Sequence, residues 1–307
     1  MIDPHLQTIL KAMADSGFQL PDPLEVPSLR AIADAPIPAP QIEIAQQRDL
    51  TIAIDGRELA GRLYHPEPSK LLPVVLFFHG GGWVHGTLET HNRLAAHIAV
   101  KAHCALISVD YRLAPENPFP AAWDDALLSL RWLKKHHGDL NIDAERIALA
   151  GDSAGGNLAA AAAQAVAGDA AIVHQLLFYP VLDGRCATAS FAQDHPGFLS
   201  SDQMRWYWDQ YAPAKKRSDP RASPAVVSIS ADLAPATIIV AGNDPLHDEG
   251  TAYAAALEAA GVATNLHDFP VAIHGFASLF GMAPIADEAI GKATDALRSA
   301  FRSKQDE

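Results

Sequence analysis

The fold is decided by residues 148–158, which read ALAGDSAGGNL. The apolar run from Ile147 to Ala150 predicts a short buried strand, and the alanine-rich run 158–167 predicts a helix. Between them, Gly-Asp-Ser-Ala-Gly matches the pattern G-x-S-x-G, which is typical of a sharp turn that lifts one serine hydroxyl above the edge of a sheet. A plain glycine-rich turn with a capping serine is the simpler alternative. We expect Ser153 to adopt a strained backbone conformation at the start of the helix.

Apolar strands alternate with helices on both sides of this turn. Val74–Phe78 is a continuous apolar run, as expected for a strand buried on both faces of a sheet. Strand–helix alternation at this spacing predicts a parallel sheet with helices on both faces, and therefore an α/β fold. The predicted strands are 74–78, 105–109, 146–150, 175–179, 237–241 and 264–269, and the predicted helices include 88–101 and 119–135.

Residues 1–40 form a separate segment in front of this pattern. A short helical stretch is followed by a connector whose proline density predicts an irregular arm lying over a surface. These prolines stand at positions 21, 23, 27, 36, 38 and 40. Two alternating stretches, 42–54 and 58–64, come next. Asp55 and Gly56 stand between them and predict the turn of a β-hairpin.

More than fifty residues separate the strand that ends near Val181 from the strand that starts near Ala236. A compact domain rarely spends that length on a plain loop. We therefore expect a helical insertion at 183–222 that covers the site together with the arm, and a main domain made of 41–182 and 223–307. Aromatic side chains are concentrated in the insertion, and for most of them we expect internal packing rather than ligand contact.

Composition and charge argue against several classes of function. The 307 residues are 49% hydrophobic and 19% charged, which is typical of an ordinary globular protein. With 23 Lys and Arg against 36 Asp and Glu, the formal charge is −13, and no basic cluster stands out. This balance argues against nucleic acid and anionic membranes as partners.

The two cysteines, Cys104 and Cys186, are too few for a disulfide framework. With no secretory pattern at the N-terminus and no apolar run of 18 residues, we expect a cytoplasmic protein without a membrane span.

A nucleophilic serine needs a base to remove its proton, and the base needs an acid to orient it. In folds with this turn, the order along the chain is serine, acid, histidine. Strand 237–241 leads into a loop that carries Asp244, which is the preferred acid. Asp248 and Glu249 follow Pro245 at the expected start of the next helix, where acidic residues favour the helix dipole without any catalytic role.

Of the 14 histidines, three follow Asp244 in the sequence. His247 lies on the same loop as Asp244, and His267 lies inside the last predicted strand. His274 follows that strand, where the chain reads as a loop entering a helix, and we expect it to be the base. Five earlier histidines have a spacing of six, which does not place side chains on one face of a helix, so we expect no metal site from them. They are His79, His85, His91, His97 and His103.

A second glycine-rich stretch, residues 79–83 (HGGGW), follows strand 74–78. Successive glycines let backbone N–H groups approach a ligand, and donors aimed at the oxyanion of a tetrahedral intermediate are worth about 3–4 kcal/mol each. We expect Gly81, Gly82 and Ala154 to supply these donors. His79 is expected to brace the loop, and Trp83 to form a wall of the pocket. A phosphate-binding loop is the alternative, but neither G-x-x-x-x-G-K-[ST] nor G-x-G-x-x-G is present.

Five motifs occur in one order along the chain: 79–83 (HGGGW), 111–116 (YRLAPE), 151–156 (GDSAGG), 244–250 (DPLHDEG) and 274–276 (HGF). From about residue 40 to the C-terminus, they resemble the bacterial hormone-sensitive-lipase-like esterases, family IV of the α/β-hydrolases. The resemblance implies an eight-stranded, mostly parallel sheet whose second strand is antiparallel, with a cap formed by residues 1–40 and 183–222. It also implies that stretch 111–116 braces the loop beside the site. A homodimer is implied as well, because members often pair through the last strand or a late helix.

The same resemblance implies hydrolysis of short- to medium-chain acyl esters, as small-molecule substrates, through Ser153, Asp244 and His274. This chemistry requires no metal and no organic cofactor. Three alternatives share these sequence features. A lipase acting at oil–water interfaces is disfavoured by the charge of −13 and the lack of a long exposed apolar lid. An amidase or deacetylase would use the same three residues. The third alternative is a non-catalytic ligand receptor. Plant gibberellin receptors resemble the family but have lost the catalytic histidine, whereas His274 is present here.

Overall fold

The computed structural model of the protein describes residues 1–17, 21, 23–34, 41–54, 56–195 and 197–303. Within these ranges, the chain forms eight strands and eight α-helices. The strands are β1 (Gln46–Ile54), β2 (Arg57–His65), β3 (Leu72–Phe78), β4 (Ala105–Val109), β5 (Ile142–Asp152), β6 (Ile172–Phe178), β7 (Ala236–Asn243) and β8 (Thr264–Ile273). The helices are α1 (Pro4–Asp15), α2 (Val26–Ala33), α3 (Asn92–Ala102), α4 (Ala121–Leu140), α5 (Ala154–Ala165), α6 (Ser201–Tyr211), α7 (His247–Ala259) and α8 (Pro284–Ser303).

The strands form one sheet in the order β1-β2-β4-β3-β5-β6-β7-β8. Strand β2 runs antiparallel to both of its neighbours, and every neighbouring pair from β4 to β8 is parallel. The predicted fold class is confirmed, including the antiparallel second strand. Because parallel strands end at the same edge of a sheet, the loops after β3, β5, β7 and β8 emerge at one edge.

Helices cover both faces of the sheet and create two cores. On β3, the side chains of Val74, Leu76 and Phe78 belong to one core, together with residues of α4, α5 and α7. Val75 and Phe77 belong to the other core, together with residues of α3 and α8. All seven residues of β3 are buried. A strand buried on both faces has no solvent side to carry polar residues, which explains the unbroken apolar run in the sequence.

Strands β1 and β2 pair as the predicted hairpin, with Ile54 opposite Arg57 next to the turn. Gly56 has φ of 79°, a backbone conformation that glycine adopts at little cost. Asp55, the first residue of the predicted turn, lies outside the described residues.

The N-terminal arm packs on the rest of the chain through one fully buried leucine in each of its helices, Leu6 in α1 and Leu29 in α2. The Asp3 carboxylate caps α1 by accepting hydrogen bonds from two backbone N–H groups. The backbone N–H of Asp3 donates to the carbonyl oxygen of Val271 at 2.9 Å, which ties the arm to the end of β8. Three prolines of the predicted connector lie outside the described residues: Pro36, Pro38 and Pro40.

Several element boundaries differ from prediction by a few residues, and two of these differences have a local explanation. Helix α3 begins at Asn92 rather than at residue 88, because Thr87 and Thr90 form a turn in which each hydroxyl accepts the other's backbone N–H. Strand β8 continues past Pro270 to Ile273, and its pairing with β7 shifts register there, between Ala241 and Asn243. Proline is tolerated at such an irregularity in an edge strand.

The segment between β6 and β7 contains α6 and three short 3₁₀ turns. Helix α6 begins with a capping box, in which the side chains of Ser200 and Gln203 each accept the other's backbone N–H. The division of the chain into a main domain and a cap stays a prediction. Among the described residues, none of the helices has both the length and the apolar run needed to cross a bilayer.

We predict that Gly155→Ala lowers the free energy of unfolding by about 3 kcal/mol, because the added Cβ would lie 1.9 Å from the carbonyl oxygen of Phe78. Gly291→Ala is the matched control. Its Cβ would meet no atom within 4 Å, and alanine should stabilise α8 by about 0.5–1 kcal/mol. Urea denaturation followed by circular dichroism measures both variants. Equal stability of the two variants would contradict this account of the contact between β3 and α5.

Candidate active site

The predicted turn joins β5 to α5 through a single residue, Ser153. Ser153 has φ of 53° and ψ of −118°, a strained conformation for a residue with a side chain. Glycine is required on both sides of it. A Cβ at Gly155 would lie 1.9 Å from the carbonyl oxygen of Phe78, and a Cβ at Gly151 would lie 2.3 Å from the carbonyl carbon of Gly155. Strand and helix therefore meet at backbone contact, with the serine at the N-terminus of α5.

Ser153, His274 and Asp244 form one hydrogen-bonded row. His274 Nε2 lies 3.0 Å from Ser153 Oγ, and His274 Nδ1 lies 2.6 Å from Asp244 Oδ2. The backbone N–H of Leu246 donates to the other carboxylate oxygen of Asp244 at 2.9 Å, which fixes the orientation of the carboxylate. The structure thus brings together side chains that are 121 and 30 residues apart in the sequence.

The competing acids and histidines occupy other places. Asp248 and Glu249 lie in the first turn of α7, as predicted. His247 is engaged by two carboxylates, with Nδ1 at 3.0 Å from Asp248 and Nε2 at 3.3 Å from Asp268. His267 lies within β8. The geometry therefore favours the acid and base chosen from their positions after β7 and β8.

The glycine-rich loop after β3 borders the same cavity as Ser153. Gly81 and Gly82 have φ of 112° and 58°, conformations that glycine adopts readily. In the ranges that the structure covers, neither of their N–H groups donates to a protein acceptor. The N–H of Ala154 belongs to the first residue of α5 and therefore has no acceptor within the helix. The strand-to-helix turn and the loop together leave three backbone donors unengaged.

Buried polar side chains hold the glycine-rich loop in place through hydrogen bonds. His79 Nδ1 donates to the carbonyl oxygen of Gly80 at 2.7 Å, and the imidazole stacks on Tyr111 with ring centroids 4.4 Å apart. The Tyr111 hydroxyl donates to the carbonyl oxygen of His79 at 2.8 Å. Burial lowers the pKa of His79 to about 3, so its ring is neutral at physiological pH. Both side chains thus donate their hydrogen bonds to carbonyl oxygens of the loop itself.

Asp152 and His91 form a second pair of acid and imidazole beside Ser153, which the sequence did not reveal. His91 Nε2 lies 3.3 Å from Asp152 Oδ1, and the same oxygen accepts the backbone N–H of Gly80 at 2.9 Å. Burial raises the pKa of Asp152, but His91, His79 and the N–H of Gly80 outweigh it and hold the pKa below its ordinary value. Asp152 is therefore an ionised carboxylate that ties the glycine-rich loop to β5.

Trp83 does not line the cavity, which corrects our expectation of a pocket wall. Its side chain is fully buried and stacks on Tyr211 with ring centroids 4.1 Å apart. A second contact places it 4.7 Å from the ring of Trp208. Both partners belong to α6, so Trp83 anchors that helix to the glycine-rich loop. An aromatic residue after three glycines does not reveal on which side of the loop its ring will lie.

A cavity of about 190 Å³ opens over the hydroxyl of Ser153. His85 and Tyr207 on its wall were not predicted as site residues, because nothing in the local sequence distinguishes them from packing side chains. Within the described ranges, no group of three or more His, Cys, Asp or Glu residues is arranged to hold a metal ion. The cavity is lined by Gly81, Gly82, His85, His91, Asp152, Ser153, Tyr179, Phe198, Leu199, Met204, Tyr207, His274 and Gly275.

This chain is similar to known proteins in both sequence and fold. The chain is 38% identical to carboxylesterase NlhH of Mycobacterium tuberculosis, over 98% of this chain and 98% of that protein. It is 42% identical to the ethyl acetate hydrolase of Pseudomonas putida, over 80% of this chain and 79% of that protein.

The solved structure of ester hydrolase EH1AB1, from the metagenome of Lake Arreo and complexed with a derivative of bipyridine phosphonate, matches with a TM-score of 0.90. The two chains are 36% identical, and the match covers 98% of this chain and 99% of that one. A family model described as the alpha/beta hydrolase fold matches residues 75–278. The chain therefore belongs to the hormone-sensitive-lipase-like family of the α/β hydrolase fold.

Proposed function

We propose that the protein is a serine carboxylesterase in which Ser153 is the nucleophile, His274 the general base and acid, and Asp244 the residue that orients His274. The observation that carries this proposal is the row of contacts at 3.0 and 2.6 Å through the two nitrogens of His274. A hydroxyl, an imidazole and a carboxylate in this order are the groups that acyl transfer through serine needs.

The reaction then proceeds in two halves. Ser153 Oγ attacks the carbonyl carbon of the ester while His274 Nε2 takes the hydroxyl proton. As the tetrahedral intermediate collapses, the bond between the carbonyl carbon and the leaving oxygen breaks, and His274 gives its proton to the alcohol. Water attacks the remaining acyl-enzyme by the same route and releases the acid. Throughout, Asp244 stabilises the imidazolium that forms on His274.

We further propose that the N–H groups of Gly81, Gly82 and Ala154 form the oxyanion hole. Backbone donors without another acceptor are available at no cost when negative charge develops on the ester oxygen. His79, Tyr111 and Asp152 support this assignment, because their hydrogen bonds hold the loop in place before substrate binds. In this proposal, both His79 and Trp83 serve as loop supports.

The names of the relatives support ester hydrolysis as the reaction. They are a carboxylesterase, an ethyl acetate hydrolase and an ester hydrolase. The cavity volume of about 190 Å³ lies below the roughly 300–1,000 Å³ typical of pockets for drug-sized ligands, which favours small esters.

Turnover of tributyrin at increasing concentration distinguishes an esterase from a lipase, since only a lipase should show a jump in rate above the solubility limit of tributyrin.

We also propose the finer organisation expected from the sequence: a cap formed by residues 1–40 and 183–222, a cytoplasmic location and a homodimer. The cap is supported by Phe198, Leu199, Met204 and Tyr207, which come from the insertion and line the cavity. The location is supported by two buried cysteines that form no disulfide. Cell fractionation tests the location, and sedimentation velocity tests the dimer. The charge of −13 leads us to expect no nucleic-acid partner.

We predict that Ser153→Ala keeps the fold and lowers kcat for p-nitrophenyl butyrate by at least about ten-thousandfold, because the variant cannot form the acyl-enzyme. Release of p-nitrophenol measures the rate, and circular dichroism confirms folding. Ser228→Ala is the control. Ser228 is exposed and does not line the cavity, so this variant should keep the rate of the parent protein. Substantial turnover by folded Ser153→Ala would overturn the assignment of the nucleophile.

Asp244→Asn should lower kcat roughly ten-thousandfold with little effect on folding, because an amide at this position stabilises the wrong tautomer of His274. The same ester assay measures the effect. Asp248→Asn is the matched control, because Asp248 contacts His247 rather than His274. The proposed role of Asp244 is wrong if the two variants lose activity equally.

A further inference from the structure

A chain of three polar side chains ends on the wall of the cavity, apart from the row at Ser153. His85 Nε2 lies 3.0 Å from the hydroxyl oxygen of Tyr207, and both side chains line the cavity. Behind them, His85 Nδ1 lies 3.7 Å from the Oδ1 atom of Asp34. Each residue comes from a different part of the chain: the end of α2, the glycine-rich loop and α6. An acid, an imidazole and a hydroxyl are thus arranged in sequence on a second side of the cavity.

This chain is held rigidly over the glycine-rich loop. A Cβ at Gly81 would lie 2.1 Å from the carbonyl oxygen of His85, and a Cβ at Gly82 would lie 2.2 Å from the ring of Tyr207. The carboxylate of Asp34 also accepts the backbone N–H of Gly86 at 2.8 Å. The Tyr207 ring therefore lies directly against the glycine whose N–H is a proposed oxyanion donor, close to the reacting ester.

The arrangement determines which way the hydrogen bonds run. Burial raises the pKa of Asp34, but the nearby imidazole of His85 and the hydrogen bond from the backbone N–H of Gly86 outweigh it and hold the pKa below its ordinary value, so Asp34 is a carboxylate. With its Nδ1 proton directed towards this carboxylate, the imidazole of His85 accepts the hydrogen of the Tyr207 hydroxyl at Nε2. Burial keeps Tyr207 neutral by raising its pKa. Its oxygen retains lone pairs that can accept a further hydrogen bond.

The surroundings specify what such an acceptor can bind. Two ionised carboxylates lie nearby, Asp34 behind His85 and Asp152 on the cavity wall, and both repel a carboxylate or phosphate on the substrate. The neighbouring wall is apolar and is formed by Phe198, Leu199 and Met204. A neutral group that donates a hydrogen bond, carried on a short hydrocarbon chain, matches both features.

We propose that Tyr207, oriented by His85 and Asp34, forms a subsite for a hydroxyl group of the substrate, and that the preferred substrates are small hydroxy esters. This proposal rests on the proposed ester hydrolysis at Ser153. Tyr207 accepts the hydrogen bond from the substrate, and His85 and Asp34 are positioning residues. The hydroxyl is recognised as a substituent and takes no part in the bond-breaking steps.

The test compares kcat/KM for ethyl butyrate with kcat/KM for ethyl 2-hydroxybutyrate, ethyl 3-hydroxybutyrate and 2-hydroxyethyl butyrate, measured by titrating the released acid. The last ester carries its hydroxyl on the alcohol. We expect the parent protein to show a higher kcat/KM for at least one hydroxy ester than for ethyl butyrate. Tyr207→Phe keeps the ring over Gly82 and should lower that preference roughly fivefold to tenfold, read as the ratio of the two kcat/KM values within the same variant. His85→Leu should lower the preference in the same direction.

Tyr211→Phe is the matched control, because it removes the same hydroxyl group from the same helix at a fully buried position. It should leave the ratio between hydroxy and plain esters as in the parent protein. Equal ratios in the parent, Tyr207→Phe and His85→Leu would overturn the subsite while leaving ester hydrolysis intact. Absence of turnover of every ester by the parent protein would instead overturn the proposed function.

Discussion

The imidazole of His274 lies between the carboxylate of Asp244 and the hydroxyl of Ser153, and it can do so only because parallel strands end at one edge of the sheet. Strands β5, β7 and β8 each deliver one of these residues at the point where the strand ends. Strand β3 delivers the glycine-rich loop at the same edge. The site therefore depends on the register of the sheet more than on any single loop.

Much of this was predictable because strands and turns have local signatures. The unbroken apolar run of β3 reflects burial on both faces, and the glycines around Ser153 reflect backbone contact between β3, β5 and α5. The chain order of serine, acid and histidine then limits the partners of Ser153 to a few positions. Asp244 and His274 could be chosen from these because each follows a predicted strand, whereas their competitors lie in a helix or inside a strand.

The remaining features depend on contacts between distant segments, which leave no periodic signal. His85 and Tyr207 are 122 residues apart, and Arg30 reaches the carbonyl oxygen of Val84 across 54 residues. In both cases the sequence shows ordinary polar residues, since hydrogen bonding depends on where the backbone places them. The same reason explains the error at Trp83, whose side of the loop is decided by stacking against Tyr211 in α6.

The packing of Trp83 also has an optical consequence. Its indole and that of Trp208 lie 4.7 Å apart, one on the loop after β3 and the other on α6, and both are fully buried. A movement of α6 away from the loop would separate the two rings and admit water to both. Indole emission shifts to longer wavelength when water reaches the ring, so a shift in the emission of these two of the five tryptophans would accompany any separation of α6 from the catalytic loop.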